Sequence, residues 1–310
     1  MQPVQLNESL SRVTELGIYA AMLFYAAAFV MLSMHLARAA SEKKAVRATA
    51  SSLSKWGVNL IIIAALFHGV GVIGRGIAVQ RVPWANMYEF TITSTLVAVV
   101  IWIVAQFLRP EVRFVGILIS GFVTLALGLA TTIWYVQVKS LMPALQDYWL
   151  LIHVSVAILG TAFFNIAAAL SIAFLLRSAK WVQEPPKALA KNSAFKLFKL
   201  ILDRFPTMQR LEELSYRFNI IGFILWSFTL IAGSIWAEHA WHRFWGWDTK
   251  EVWTFIIWTI YAGYLHANST RGWNGKRSAW LVVIGFAAII FNFTIVNMFF
   301  KGLHVYSGLK

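Results

Sequence analysis

The stretch WAEHAWHRFWGWDTKEVW, residues 236–253, holds five of the chain's 15 tryptophans beside His239, His242 and Asp248. An indole offers a broad apolar face and a single N–H donor. Rings of that kind suit a large, flat, hydrophobic ligand with a polar edge. Interfacial aromatic belts account for one or two tryptophans at a helix end, but not for Trp236, Trp241, Trp245, Trp247 and Asp248 together. A porphyrin has the required shape, and its propionates call for cations; Arg81, Arg243 and Lys250 are the candidates on the same side of the chain. Seven histidines complete the set: His35, His68, His153, His239, His242, His266 and His304. An imidazole in an apolar segment needs a partner. That partner is either a neighbouring helix or an iron or other metal, and residue types alone leave both open. His153 and His304 come from different segments yet share the depth of the Trp-rich loop.

The elements that position these residues are apolar runs. The chain is 59% hydrophobic and 13% charged, about half the charge of an ordinary soluble domain. Residues 16–36, 58–73, 92–107, 115–134, 149–176, 220–236, 252–265 and 279–300 are nearly free of charge. Runs of about 20 such residues cross a bilayer as helices. No alternating strand pattern offers a barrel instead. The fold class expected is therefore all-α, a polytopic membrane bundle of about eight transmembrane helices. It forms a single membrane domain over 1–310, with no cleavable signal peptide and no repeat.

Lysine and arginine set the orientation. With the N-terminus outside, segments 38–55, 109–113, 177–217 and 271–277 place 19 of 27 basic residues on one side. The other side keeps Arg12, Arg75, Arg81, Lys139, Arg243, Lys250, Lys301 and Lys310. Both termini and the 236–253 loop are then outside, and 177–215 is a cytoplasmic basic loop. Within it, Phe195, Leu197, Phe198, Leu200 and Ile201 alternate with Lys191, Lys196 and Lys199 as on an interfacial amphipathic helix. The net charge of +14 reads as this bias plus attraction to anionic lipid, with no nucleic acid as partner. The absence of cysteine excludes disulfides and thiol chemistry from the chain's own side chains; any thiol comes from a partner.

Five separated motifs resemble the CcsA/ResC type of cytochrome c biogenesis protein, of the pathway called system II. HGVGVIGRGIAVQRVPWANMYEF is similar to that family's helix and loop ending in Asn-Met-Tyr-Glu. YWLLIHVSVAILG is similar to its outer histidine helix, and WAEHAWHRFWGWDTKEVW to its tryptophan-rich WWD signature. YLHANSTRGWNGKRSAW and GLHVYSG complete the order. The resemblance implies a protein that binds heme b in the plasma membrane and presents it on the extracytoplasmic side. It supports thioether attachment to the CxxCH motif of apocytochrome c, together with a ResB-type membrane partner. It implies His153 and His304 as outer heme ligands and His68 and His266 as an intramembrane pair. Trp236, Trp241, Trp245, Trp247 and Asp248 become a heme platform. The sequence departs from the family's pattern at His242, where a small residue is expected, and at Thr249, where proline is usual. His239 and His35 match no ligand position and read as structural.

A di-heme electron-transfer subunit resembling cytochrome b is the alternative of another class. It commonly carries two histidines on one helix, which no span here does. A solute permease needs broken helices or intramembrane acids, and the spans hold almost none. Whether the chain is itself an enzyme stays open. It has no nucleophile or general-base dyad in its motifs, and its share of a cytochrome c synthase reaction is positioning and axial ligation.

Overall fold

The computed structural model describes residues 8–39, 49–137, 147–270, 273–300 and 302–304. Lys139, Lys301 and Lys310, most of the 138–147 connection and the tail beyond His304 lie outside them. Every regular element among the described residues is helical, the outcome that lipid enforces by leaving no water to satisfy backbone groups. The long helices are α1 (Glu8–Ala39), α2 (Ala50–Val79), α3 (Met87–Leu108), α4 (Val115–Thr132) and α5 (Tyr148–Ser178). Three short ones follow: α6 (Lys180–Gln183), α7 (Lys187–Lys191) and α8 (Ser193–Leu202). The chain then continues through α9 (Met208–Trp241), α10 (Thr249–Ser269) and α11 (Lys276–Phe291), which runs on through a π-turn at Asn292–Val296.

Seven of these helices are long and apolar enough to cross a membrane, against the eight expected. The difference is α10. Its 21 residues are enough to span about 30 Å, but Lys250, Glu251, His266 and Asn268 leave it too polar to count with the other seven.

Helix ends form where short polar side chains replace the missing intrahelical partners. Asn86 accepts from the Glu89 N–H at 2.9 Å at the start of α3. Asp147 accepts from the Trp149 N–H at 2.6 Å at the start of α5. Asp248 and Glu251 make a reciprocal capping box at the start of α10. Both departures from the expected pattern fall at helix ends. Thr249 takes the first helical position, where proline is favoured. His242 ends α9 with φ +56°, a left-handed cap that glycine occupies at least cost; its side chain is exposed.

Packing divides the bundle into two lobes joined by α5. Helices α1 to α4 share the largest core, around Tyr25, Ile61, Trp102 and Leu127, and α5 adds Ile166 and Leu170. A Cβ on Gly71 would stand 2.6 Å from Ile18, so α1 and α2 pack through small residues, as membrane helices do. On the other side α5 packs along α9 and α11, and its Phe164 stacks on Tyr261 of α10 at 3.6 Å. The basic segment is helical as expected at α8, but its apolar face is divided. Phe195 and Leu202 are buried against the bundle, while Leu197 and Leu200 are exposed. Trp181 stacks on Phe198 at 5.8 Å.

One buried ionic cluster fixes the loop between α2 and α3. Glu89, fully buried, accepts from the Arg75 Nε at 3.1 Å, the Arg81 Nη1 at 2.7 Å and the Ala85 N–H at 3.1 Å. Arg75 also donates to the Val136 carbonyl at 2.8 Å. Breaking a buried pair strands a charge at a cost of about 3–5 kcal/mol. Glu89→Ala is therefore expected to lower stability in detergent by that amount. Arg81→Gln, whose partner keeps Arg75, is expected to cost less. Chemical denaturation of the two variants measures the difference; equal stability would contradict the cluster's role.

Candidate functional site

A cavity of about 450 Å³ lies between α3, α4, α5, α9, α10 and α11, within the range of sites that hold a cofactor-sized ligand. Its walls are mostly apolar. At the Trp-rich end stand His153, His304, Trp236, Trp245 and Lys250; at the far end, Asn165. His153 and Asn165 are 12 residues apart on α5, so the cavity runs about 18 Å along that helix.

His153 is fixed from three sides. Its Nδ1 donates to the Thr229 carbonyl at 2.9 Å, a carbonyl the ring can reach because Gly233, one turn on, has no side chain. A Cβ on Gly233 would stand 2.7 Å from the imidazole. Trp236 stacks on the other face, with centroids 5.9 Å apart and planes 15° apart. With Nδ1–H committed, Nε2 carries the lone pair, the arrangement that ligating histidines use.

His304 closes the same end from the segment that follows α11. Its ring meets Trp236 at 5.5 Å and Trp241 at 4.7 Å, both edge-on. Its Nδ1 lies 3.4 Å from Asp248 Oδ1, long for a hydrogen bond but close for a charge. Asp248 Oδ2 accepts from the Leu303 N–H at 2.7 Å, and Oδ1 from the Lys250 N–H at 2.8 Å. Burial pushes the Asp248 carboxyl up, but His304 and these two backbone N–H groups outweigh it and hold the carboxyl below the usual carboxylate range. Asp248 thus joins the α10 cap to the His304 segment.

The platform residues separate on inspection. Trp236 is buried between the two histidines, Trp241 touches His304, and Trp245 lines the cavity. Trp247 is 78% exposed, with φ +59°, and among the described residues an edge-on contact with Trp245 at 6.0 Å connects it to the group. The three cations separate as well. Lys250 reaches the cavity wall, where its Nζ donates to Asn297 Oδ1 at 2.5 Å and lies 3.4 Å from the Asn292 carbonyl. Arg81 is engaged by Glu89. Arg243 folds over Gly246, where no Cβ stands in its way; neither arginine lines the cavity.

The inner pair is not brought together. His68 on α2 is fully buried, 3.3 Å from the Tyr25 hydroxyl, and its Nε2 is enclosed without a hydrogen bond of ordinary geometry. His266 on α10 is exposed. Helix α2 packs on α1, α3 and α4, whereas α10 packs on α9, α11 and the π-turn. His35 bonds the Ala50 carbonyl at 2.7 Å. His239 pairs with Asp147 at 3.0 Å.

Several wall residues escaped the sequence reading. Phe90, Phe293 and Trp84 line the cavity without any pattern that sets them apart from other apolar residues. Asn292 and Asn297 had a signal: two amides in an apolar final span, at the start of and just after a π-turn, a distortion often found at functional sites.

The chain's relatives fit this picture. The cytochrome C assembly protein family matches residues 84–304, which include every cavity residue named above. The cytochrome c biogenesis protein CcsA of Trieres chinensis is 32% identical over 292 residues, covering 84% of this chain and 91% of that protein. CcsA of Prochlorococcus marinus is 34% identical over 263 residues, covering 80% and 82%. Among solved structures, cytochrome c heme lyase CcmF superposes with a TM-score of 0.63 at 16% identity, over 92% of this chain and 46% of CcmF. That likeness is one of fold, and this chain spans less than half of that larger protein. With a family match over most of its length and relatives above 30% identity, the chain belongs to the cytochrome c assembly proteins as a CcsA-type cytochrome c biogenesis protein with a role in cytochrome c maturation.

Proposed function

We propose that the cavity binds heme b, with His153 and His304 as axial ligands, and presents it on the extracytoplasmic side for thioether attachment to the CxxCH motif of apocytochrome c. The observation that carries this reading is the placement of two imidazoles, one from α5 and one from the segment after α11, around Trp236 in the wall of one apolar cavity. Lys250 supplies the cation for a propionate, with Asn292 and Asn297 beside it. Trp245 supplies a flat wall, and Trp247 belongs to the surface around the mouth. The sites of Arg81 and Arg243 support a structural part for them. The chain then works as the heme-handling subunit of a cytochrome c synthase in the plasma membrane, with a ResB-type partner to hold the apocytochrome.

His153→Gly or His304→Gly is expected to convert a low-spin heme spectrum to high spin and to lower cytochrome c maturation at least about tenfold, with added imidazole restoring part of it. Gly233→Val, which touches no iron, is expected to do the same by displacing His153. Normal spectra and maturation in all three variants would reject the ligand assignment.

The family's intramembrane pair belongs to the same reading as a transit site. His68 offers a desolvated imidazole with an enclosed Nε2. Joining it to His266 needs a second arrangement of α2 and α10, because the two helices are not packed together. His68→Ala or His266→Ala is expected to deplete heme at the outer site as well, since supply precedes presentation. An outer site that fills normally in both variants, measured by heme content of the purified protein, would remove the transit role and leave the outer site standing.

A further inference from the structure

We propose that His239 and Asp147 form a general-base pair at the mouth of the cavity that activates the substrate's thiols; this rests on the reading of the cavity as a heme-presenting site. His239 lies on α9, three residues beyond Trp236, and therefore about 4.5 Å further along the helix from the ring that stacks on His153. Asp147 caps α5, six residues before His153 and about 9 Å from it along that helix. Neither residue is in the cavity wall; both stand beyond its Trp-rich end, on the continuation of the helices that carry Trp236 and His153.

The geometry of the pair fits a base. The His239 Nδ1 lies 3.0 Å from Asp147 Oδ2. A carboxylate only accepts, so Nδ1 carries the proton and Nε2 the lone pair. Asp147 is itself oriented, because its Oδ1 accepts from the Trp149 N–H at 2.6 Å. His239 is 48% exposed, open to an incoming polypeptide. This is the base-and-orienter arrangement of nucleophile activation, made from two helices that also carry His153 and Trp236.

The reaction needs such a group. A thiol reacts as thiolate, and an unperturbed cysteine is mostly protonated at neutral pH. The His239 Nε2 takes the thiol proton as sulfur bonds to the vinyl carbon attached to the porphyrin. The vinyl π bond breaks, and the proton passes from Nε2 to the terminal vinyl carbon. No electron is gained or lost, and no further reactant is required. His239 is the catalytic residue; Asp147 is a positioning residue that fixes the tautomer and offsets the imidazolium charge.

The test uses the chain in complex with its partner, loaded with heme, and a CxxCH peptide whose heme attachment is followed by mass. General-base catalysis contributes about 10²–10⁴-fold. His239→Gln is expected to slow attachment about 100-fold with the heme spectrum unchanged. His239→Lys keeps a cation for Asp147 but no neutral base, and the same loss is expected. Asp147→Ala is expected to lower kcat with the KM for the peptide unchanged, and Asp147→Glu to recover it. Rates within twofold of the parent in His239→Gln and His239→Lys overturn the pair as a base, as does recovery in His239→Lys alone, which marks a structural ion pair. Absence of heme from the parent complex overturns the site reading itself, and the pair with it.

Discussion

The site depends on one hydrogen bond, from the His153 Nδ1 to the Thr229 carbonyl. An imidazole taken out of water needs a partner for its N–H. A backbone carbonyl is a partner that can neither rotate away nor take the proton. The choice fixes the tautomer, and the tautomer decides which nitrogen is available to iron. It also constrains the backbone, since the imidazole lies over Gly233 and under Trp236. Helices α5 and α9 have to pack closely along their length for this to hold, and they do, with Gly222 giving way to the ring of Phe164 as a second close approach.

The histidine proposed as the opposite ligand is held differently. His304 belongs to no long helix, so no packed face holds it. Asp248 holds its segment instead, accepting from the Leu303 N–H while capping α10. The same aspartate therefore starts a helix, ties down the C-terminal segment and faces an imidazole. That threefold use explains why an acid stands in the middle of a tryptophan-rich loop: its oxygens are taken by N–H groups and by His304, and none is left for proton transfer.

Much of this was legible in the residues, and what was not has physical reasons. Hydropathy gave the long helices because lipid permits little else. Only α10 is too polar to count with the other seven, although its 21 residues are long enough to cross. His153, His304, Trp236, Trp245 and Lys250 were recognisable as types that a flat, anionic ligand requires. Arg81 had the expected charge, but Glu89 is eight residues away in sequence, and only the fold reveals that the two are paired. Trp247 had the expected ring, yet its left-handed backbone turns it outward. The distinction between a ligand and a cap at His242 is one of φ, which composition does not carry. The His239–Asp147 pair joins residues 92 apart and has no local signature at all.

The central claim is that two histidines, 151 positions apart in sequence, close on one iron. The most direct measurement is the low-temperature EPR spectrum of the purified protein given one equivalent of ferric heme, with the His153 and His304 imidazoles labelled with ¹⁵N and the nitrogen couplings resolved by pulsed methods. The account predicts a low-spin ferric signal with two strongly coupled labelled imidazole nitrogens. A high-spin signal, or a low-spin one whose coupled nitrogens belong to other residues, would contradict it.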